Sequence, residues 1–311
     1  MTQFLQPSIS LHSLRKGLQF SSSSSFLHTG SFRLRSFSCR MSADSANRSQ
    51  SITLPCQHEQ PVQILAAPGL SDSDLRNAVD SSLFKQWLMN LQGESGILAQ
   101  GAMSLKRVLI QGVDMFGSRI GFLKFQADIY DKQTGKKVPG IVFARGPAVA
   151  VLILLSCEGE TYAVLTEQVR VPVGKLMLEL PAGMLDDDKG DFVGTAVREV
   201  EEEIGIRLKL EDMVDLTGFL DPSTGCRVFP SPGGCDEGIG LFLYRGSASK
   251  ETIAELQGKE TGLRDHGELI KVHVVPYEKL WRVTADAKAL MAIGLYEMAK
   301  KEGLLPSLKQ C

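Results

Sequence analysis

The chain is predicted to be of the α/β (α+β) class: an α/β/α sandwich around a mixed β-sheet, preceded by a small β subdomain and a helical extension. Two observations predict this. Short strand-like segments follow one another from Arg107 to Leu180, and an amphipathic helix near residue 200 comes after them. More strands then follow, and two helices close the chain. Strands in runs, rather than strict strand–helix alternation, argue against a doubly wound sheet. The sequence holds no internal repeat.

The elements can be justified in order. Residues 1–43 are rich in serine, including the run Ser21–Ser25, and carry Arg15, Lys16, Arg33, Arg35 and Arg40 with no Asp or Glu before Asp44. Such a segment has too little apolar surface to fold alone. Its composition is that of an organelle transit peptide, chloroplast ahead of mitochondrion, with cleavage expected near Arg40 or Met41. Residues 44–100 read as linker and N-terminal helix. Leu75, Val79, Leu83, Trp87, Leu88 and Leu91 recur at three- and four-residue steps and predict one helix over Ser71–Gln92, with Ser71 or Asp72 as N-cap and Trp87 as a core anchor.

Residues 101–146 form the β subdomain, expected to serve dimerisation and substrate binding. It comprises strands Arg107–Val113, Ile120–Tyr130 and Ile141–Arg145, with a turn over Asp131–Lys137. Residues 147–304 make the main domain. Its strands are placed at Ala148–Leu155, Tyr162–Val169, Leu176–Leu180, Val214–Leu220, Gly240–Tyr244 and Leu269–Val275. Its helices are placed at Phe192–Ile204, near Tyr277–Trp281, and at Ala285–Lys301.

Charge and cysteine content exclude several functions. Beyond the basic leader the chain has 29 basic and 36 acidic side chains (34 and 36 in the whole chain, less the leader's five cations), a balance that offers no footprint for nucleic acid. The longest apolar run, Ala148–Leu155, is strand-sized, so no membrane span is expected. The six cysteines include no CxxC pair, which argues against structural zinc and a disulfide framework. Cys226 and Cys235 bracket one loop, and two small loop residues are the preferred reading over a redox pair.

The informative stretch is Arg198-Glu199-Val200-Glu201-Glu202-Glu203-Ile204-Gly205-Ile206. At 100° per residue Glu199, Glu202 and Glu203 share one helix face. Val197, Val200 and Ile204 supply the apolar stripe, and Gly205 suits a left-handed helix end. Like charges at this spacing repel by about 0.2–0.5 kcal/mol per pair on a bare helix, which a hard divalent cation would reverse. By itself such a stretch is most often a solvated acidic face.

Its context changes that weighting. Arg198–Ile206 matches without exception the second half of the Nudix box, G-x5-E-x7-R-E-U-x-E-E-x-G-U, in which U is aliphatic. The first half departs from it: Gly183 comes one residue early, and Gly190 stands where the box has Glu, with Asp191 as a substitute one residue later. Outside the box, Glu167-Gln168-Val169-Arg170, Glu179-Leu180-Pro181-Ala182-Gly183, Pro222 and Phe229 to Glu237 resemble the ADP-sugar and ADP-ribose diphosphatase branch of the Nudix hydrolases, in its plant chloroplast form. The resemblance spans roughly residues 101–304.

That resemblance implies Mg²⁺, with Mn²⁺ as a substitute, held by Glu199, Glu202, Glu203 and the Ala182 carbonyl. It implies Arg170 on the diphosphate of a nucleotide-sugar substrate, for which the plain alternative is a surface ion pair. It places a general base in the loop before strand Leu269–Val275, with Glu268 as the candidate and Glu260 or Asp265 as alternatives. ADP-glucose and ADP-ribose are the implied substrates and a homodimer the implied assembly. Phe116 and Phe143 are candidates for stacking the adenine, although a core role is the commoner one for each. Gly190 keeps open a catalytically silent ADP-sugar or ADP-ribose sensor, and fold alone keeps open NADH, FAD or a dinucleoside polyphosphate as substrate.

Overall fold

Why the run Ala148–Leu155 is apolar without alternation becomes clear from its place in the computed structural model, which describes residues 49–56, 61–185, 192–206, 208–262 and 269–307. Strand β6 (Ala148–Cys157) is central, and both of its faces are covered. Ala148, Ala150, Leu152 and Leu154 enter one core layer, and Val149, Val151, Ile153 and Leu155 enter the other. A strand buried on both sides loses its polar alternation.

Ahead of β6 lie β1 (Ser49–Ile52), β2 (Val62–Ala66), α1 (Asp72–Asp80), α2 (Ser82–Gln92), β3 (Met103–Phe116), β4 (Arg119–Asp131) and β5 (Ile141–Ala144). The five strands form one sheet in the order β1-β2-β3-β4-β5. Strands β2 and β3 are parallel, so the chain must cross over between them, and α1 and α2 make that crossing. Their apolar faces share one core cluster with the sheet, in which Trp87 lies edge-on to Phe125 with ring centroids 4.7 Å apart. The expected N-terminal helix and β subdomain therefore bury their apolar side chains together.

The main sheet adds β7 (Glu160–Arg170), β8 (Lys175–Glu179), β9 (Ala182–Met184), β10 (Met213–Asp215), β11 (Ile239–Ser247), β12 (Glu260–Thr261) and β13 (Ile270–Pro276). Its order is β10-β11-β6-β7-β13-β12, with β8 on β7 and β9 on β6. Strands β6 and β11 run parallel and the remaining pairs antiparallel. Helices α3 (Phe192–Ile204) and α4 (Lys250–Leu256) cover one face, and α5 (Tyr277–Val283) and α6 (Ala287–Lys301) the other. This is the mixed-sheet α/β/α sandwich read from the sequence.

Two elements differ from expectation for identifiable reasons. The single helix Ser71–Gln92 is two helices. Ser81 is extended (φ −64°, ψ 150°), and its hydroxyl donates to the Ala78 carbonyl and accepts the Phe84 N–H, ending α1 and starting α2. The strand expected over Val214–Leu220 stops at Asp215, whose carboxylate accepts the Thr217 hydroxyl and the Gly218 N–H and folds the chain into a 3-10 turn. Strands β1, β2, β9 and β12 and helix α4 were not expected from the sequence. The expected leader and the expected cleavage near Arg40 or Met41, together with Gly190, Asp191, Asp265 and Glu268, lie outside the described residues. Among the described residues, no helix is long and apolar enough to cross a membrane.

Candidate active site

Helix α3 docks through Ala196, Val200 and Ile204, and that rotation decides where its acids point. Glu203 falls at the border of the docked face and is 7% exposed, Glu199 is half-buried, and Glu201 and Glu202 face solvent. Gly205 (φ 77°) ends the helix, its N–H reaching the Glu201 carbonyl at 2.9 Å. The Lys259 ammonium donates to the Ile204 carbonyl at 3.3 Å, a cation placed at the negative end of the helix dipole. The Thr261 hydroxyl donates to the Glu203 carbonyl. Strand β12 thus clamps the end of α3.

The Glu203 side chain is gripped from the sheet. Gln168 Nε2, on β7, donates to Oε1 at 2.9 Å, and the Ala182 N–H, on β9, donates to Oε2 at 3.2 Å. Burial is the largest influence on this carboxyl and the neighbouring Glu199 charge the next, and together they push its pKa up to about 8 despite those donors. Glu199 lies over Gly183: a Cβ there would sit 1.8 Å from the Glu199 carboxyl carbon. Only glycine lets β9 pass so close. Two carboxylates therefore meet over Ala182–Gly183, held together against their own repulsion.

Arg170, at the end of β7, forms a fork on Glu179 of β8, with Nε at 2.6 Å from Oε1 and Nη2 at 3.0 Å from Oε2. Glu179 is nearly buried and also accepts Lys288 Nζ at 2.8 Å. Burial works to raise the Glu179 pKa, but the hydrogen bond from Arg170 and the charge of Lys288 outweigh it and hold the carboxyl low. The Glu179 hydrogen bond raises the Arg170 pKa, to which the charge of Glu203 also contributes, so Arg170 and Glu203 belong to one electrostatic cluster. The Arg170 side chain is 42% exposed.

A cleft of about 1340 Å³ opens beyond the other end of α3. Its walls include Arg119, Arg145, Phe192, Arg227, Phe229 and Asp236. The Arg227 guanidinium lies 3.6 Å from the Phe192 ring centroid. The segment Ser231–Glu237 folds against β5: the Phe143 N–H donates to the Gly234 carbonyl at 2.7 Å, and Asp236 accepts the N–H groups of Arg145 (2.8 Å) and Gly146 (3.2 Å). Glu199 and Glu203 do not line this cleft. Phe192 lies in its wall and Glu203 eleven positions further along α3, about 16 Å at 1.5 Å per residue. Glu199 meets the cleft's border through Gly183, whose neighbour Met184 is part of the wall.

The structure thus brings together Arg170, Ala182, Glu199 and Glu203, and leaves Glu202 on the exposed flank of α3. Glu260 sits exposed in β12, beside the clamp on α3. Phe116 packs edge-on against Phe122, and Phe143 is 46% exposed. Cys226 and Cys235 are free thiols. Among the described residues no group of three or more His, Cys, Asp or Glu side chains converges as a ready metal cage. Even so, two repelling carboxylates set against strand backbone fit a hard divalent ion. Mg²⁺ commonly takes one or two carboxylates and fills its other positions with water and substrate phosphate.

Sequence reasoning gave no separate role to Gln168 or Glu179, although both stand in the segments it singled out. It passed over Asp286 and Lys288 altogether. An Asp just before the apolar run of the last helix was a visible N-cap signal, and Asp286 does accept the Lys288 N–H at 3.1 Å.

Comparison with known proteins gives this geometry a family. The NUDIX domain profile matches residues 144–293. The chain is 74% identical over 269 residues to Nudix hydrolase 14, chloroplastic, of Arabidopsis thaliana, covering 86% of this chain and 87% of that one. It is 32% identical over 216 residues to the ADP-ribose pyrophosphatase of Haemophilus influenzae, covering 68% of this chain and 86% of that one. It is also 32% identical over 184 residues to the methanol dehydrogenase activator of Bacillus methanolicus, covering 59% and 89% respectively. With its sandwich fold and its carboxylate helix docked over β9, the chain belongs to the Nudix hydrolase family.

Proposed function

We propose that the protein hydrolyses the diphosphate bond of ADP-sugars, ADP-glucose and ADP-ribose, to AMP and a sugar phosphate, with Mg²⁺ as cofactor and Mn²⁺ as a substitute. The observation that carries this reading is the pair Glu199 and Glu203, held over Ala182–Gly183 in the same electrostatic cluster as Arg170. The name of the Haemophilus relative favours an ADP-linked substrate.

Nudix hydrolases generally use a divalent metal such as Mg²⁺, which when bound neutralises diphosphate charge and orients water. Glu199 and Glu203, with the Ala182 carbonyl and Glu202 at the flank, are the residues assigned to hold it. Arg170 binds the diphosphate and keeps it in line for attack. Glu268 accepts the proton of the attacking water as its oxygen bonds to phosphorus, and the bridging oxygen leaves with the other half of the substrate. A homodimer is the proposed assembly. The chloroplast is the proposed location, in keeping with the name of the Arabidopsis relative and the basic, acid-free leader.

The test is Glu203→Gln, with AMP release from ADP-glucose and ADP-ribose measured against Mg²⁺ concentration. Glutamine keeps the shape and can still accept the Ala182 N–H, so circular dichroism should remain that of the parent. AMP release should fall by about 10²–10³-fold, as for loss of an electrostatic group in a water-poor site. Undiminished turnover refutes the assignment. An unaltered protein that binds ADP-glucose, seen as thermal stabilisation, without releasing AMP is a sensor instead.

A further inference from the structure

We infer that the N-terminal turn of α6 is a brace for the active site, and that Lys288, acting through Glu179, is a positioning residue for Arg170. This rests on the role proposed above for Arg170 and extends it to side chains outside the cluster that meets substrate.

The contacts form an unbroken chain. Lys288 Nζ lies 2.8 Å from Glu179 Oε2 and 2.9 Å from Asp286 Oδ1, with its side chain only 16% exposed. Asp286 also accepts the Leu180 N–H at 3.3 Å through its other oxygen. Thr284 fixes Asp286 in turn, accepting its N–H at 3.0 Å and donating to the Leu178 carbonyl at 2.6 Å. Leu178, Glu179 and Leu180 are consecutive, so α6 holds β8 by backbone and side chain together. Two residues beyond Leu180 stands Ala182, whose N–H grips Glu203. The same helix turn is thus linked to both halves of the site: to Arg170 through Glu179, and to Glu203 through the strand carrying Ala182.

Charge explains why an ammonium is needed there. Without that ammonium the buried Glu179 carboxylate would have Arg170 as its one cation among these side chains, and the guanidinium, already forked on it, would be drawn further onto it and away from substrate. Lys288 supplies a second cation to the same oxygen. Arg170 can then keep Nε and Nη2 on Glu179 as an anchor without being the sole neutraliser of that carboxylate. Asp286 balances Lys288 in its turn, so the four side chains sum to zero. Neither Lys288 nor Asp286 is placed on the substrate.

The experiment compares Lys288→Met, Lys288→Arg and Arg170→Lys in the full chain, measuring KM and kcat for ADP-glucose with Mg²⁺ and the melting temperature of each. If Lys288 positions Arg170, Lys288→Met raises KM so that kcat/KM falls by about 10- to 100-fold, the size expected when a binding group is displaced by about 1 Å. Lys288→Arg restores most of that loss, and Arg170→Lys reproduces the rise in KM. A Lys288→Met protein that melts earlier but keeps the parent KM overturns the proposal, because stability alone is then at stake. If Arg170→Lys also keeps the parent KM, the role of Arg170 has failed and the brace falls with it. If Arg170→Lys raises KM while Lys288→Met does not, only the brace is overturned.

Discussion

Among single residues, Gly183 imposes the tightest constraint in the site. Its backbone is not in the left-handed region, so torsional freedom is not what it provides. It provides room, since any Cβ would overlap the carboxyl group of Glu199. Gly183→Ala should therefore leave the sandwich folded but push Glu199 off β9, lowering kcat/KM for ADP-glucose by about 10²-fold. Parent-like kinetics in that variant would mean that Glu199 does not need its place over the strand. This contact was not legible in the sequence. There Gly183 stood out only as a box glycine one position early, because the pattern records which residues occur and not which backbone a side chain crosses. The acids themselves were legible, since helical period alone put Glu199 and Glu203 on one face. Their different fates from Glu202 were not, because burial depends on how α3 is rotated against a sheet built from distant residues.

Elements were best read where an unbroken apolar run or an unambiguous period marked them, as the run does in β6 and the period in α3 and the β3–β4 hairpin. They were misread where a side chain redirects the backbone, as Ser81 and Asp215 do. The hairpin also carries a charge arrangement that periodicity leaves unseen. Asp128 on β4 lies directly across from Arg107 on β3, which binds it through Nε at 2.8 Å and Nη2 at 2.7 Å, and Lys137 reaches it from beyond the turn. Burial tends to raise the Asp128 pKa, but the hydrogen bonds from Lys137 and Arg107 overcome it, and the net shift is downward. A depressed folded-state pKa means that the ionised carboxylate stabilises the fold above the unfolded value of about 3.9. That stabilisation is lost as pH falls through the lower folded value. Asp128→Asn should cost about 1.5–3 kcal/mol near pH 7, the range for hydrogen bonds to charged groups. The gap in melting temperature between parent and variant should narrow as the pH is taken below about 4. A gap that stays constant from pH 7 to pH 3 would show that the ion pair contributes nothing.

At the scale of the whole molecule, the N-terminal sheet and the main sandwich meet where β5 runs into β6, and the loop Ser231–Glu237 seals that junction. The sequence singled out Phe229 to Glu237 only through its resemblance to the diphosphatase branch. In the fold the loop has a structural task, since it adds a strand-like pairing to β5 at Phe143 and Cys235. Asp236 is the centre of the seal. One of its carboxylate oxygens accepts two consecutive N–H groups, from Arg145 and Gly146, while Glu237 lies 3.3 Å from the Arg145 guanidinium. Removing that oxygen leaves two partly buried donors with no acceptor, at a cost of about 1–3 kcal/mol for each group left unsatisfied. Asp236→Ala should therefore lower the melting temperature by several degrees, at about 2–4 °C per kcal/mol for a domain of this size. Asp236→Asn should recover most of it, because its amide oxygen can occupy the same position. Scanning calorimetry of the two variants distinguishes a junction held by these hydrogen bonds from one held by apolar contact alone, for which the alanine variant would melt with the parent. The Asn variant sharpens the result: it keeps the acceptor and loses the charge, so a loss equal to that of Ala would assign the seal to the Asp236 charge near Arg145 rather than to its hydrogen bonds.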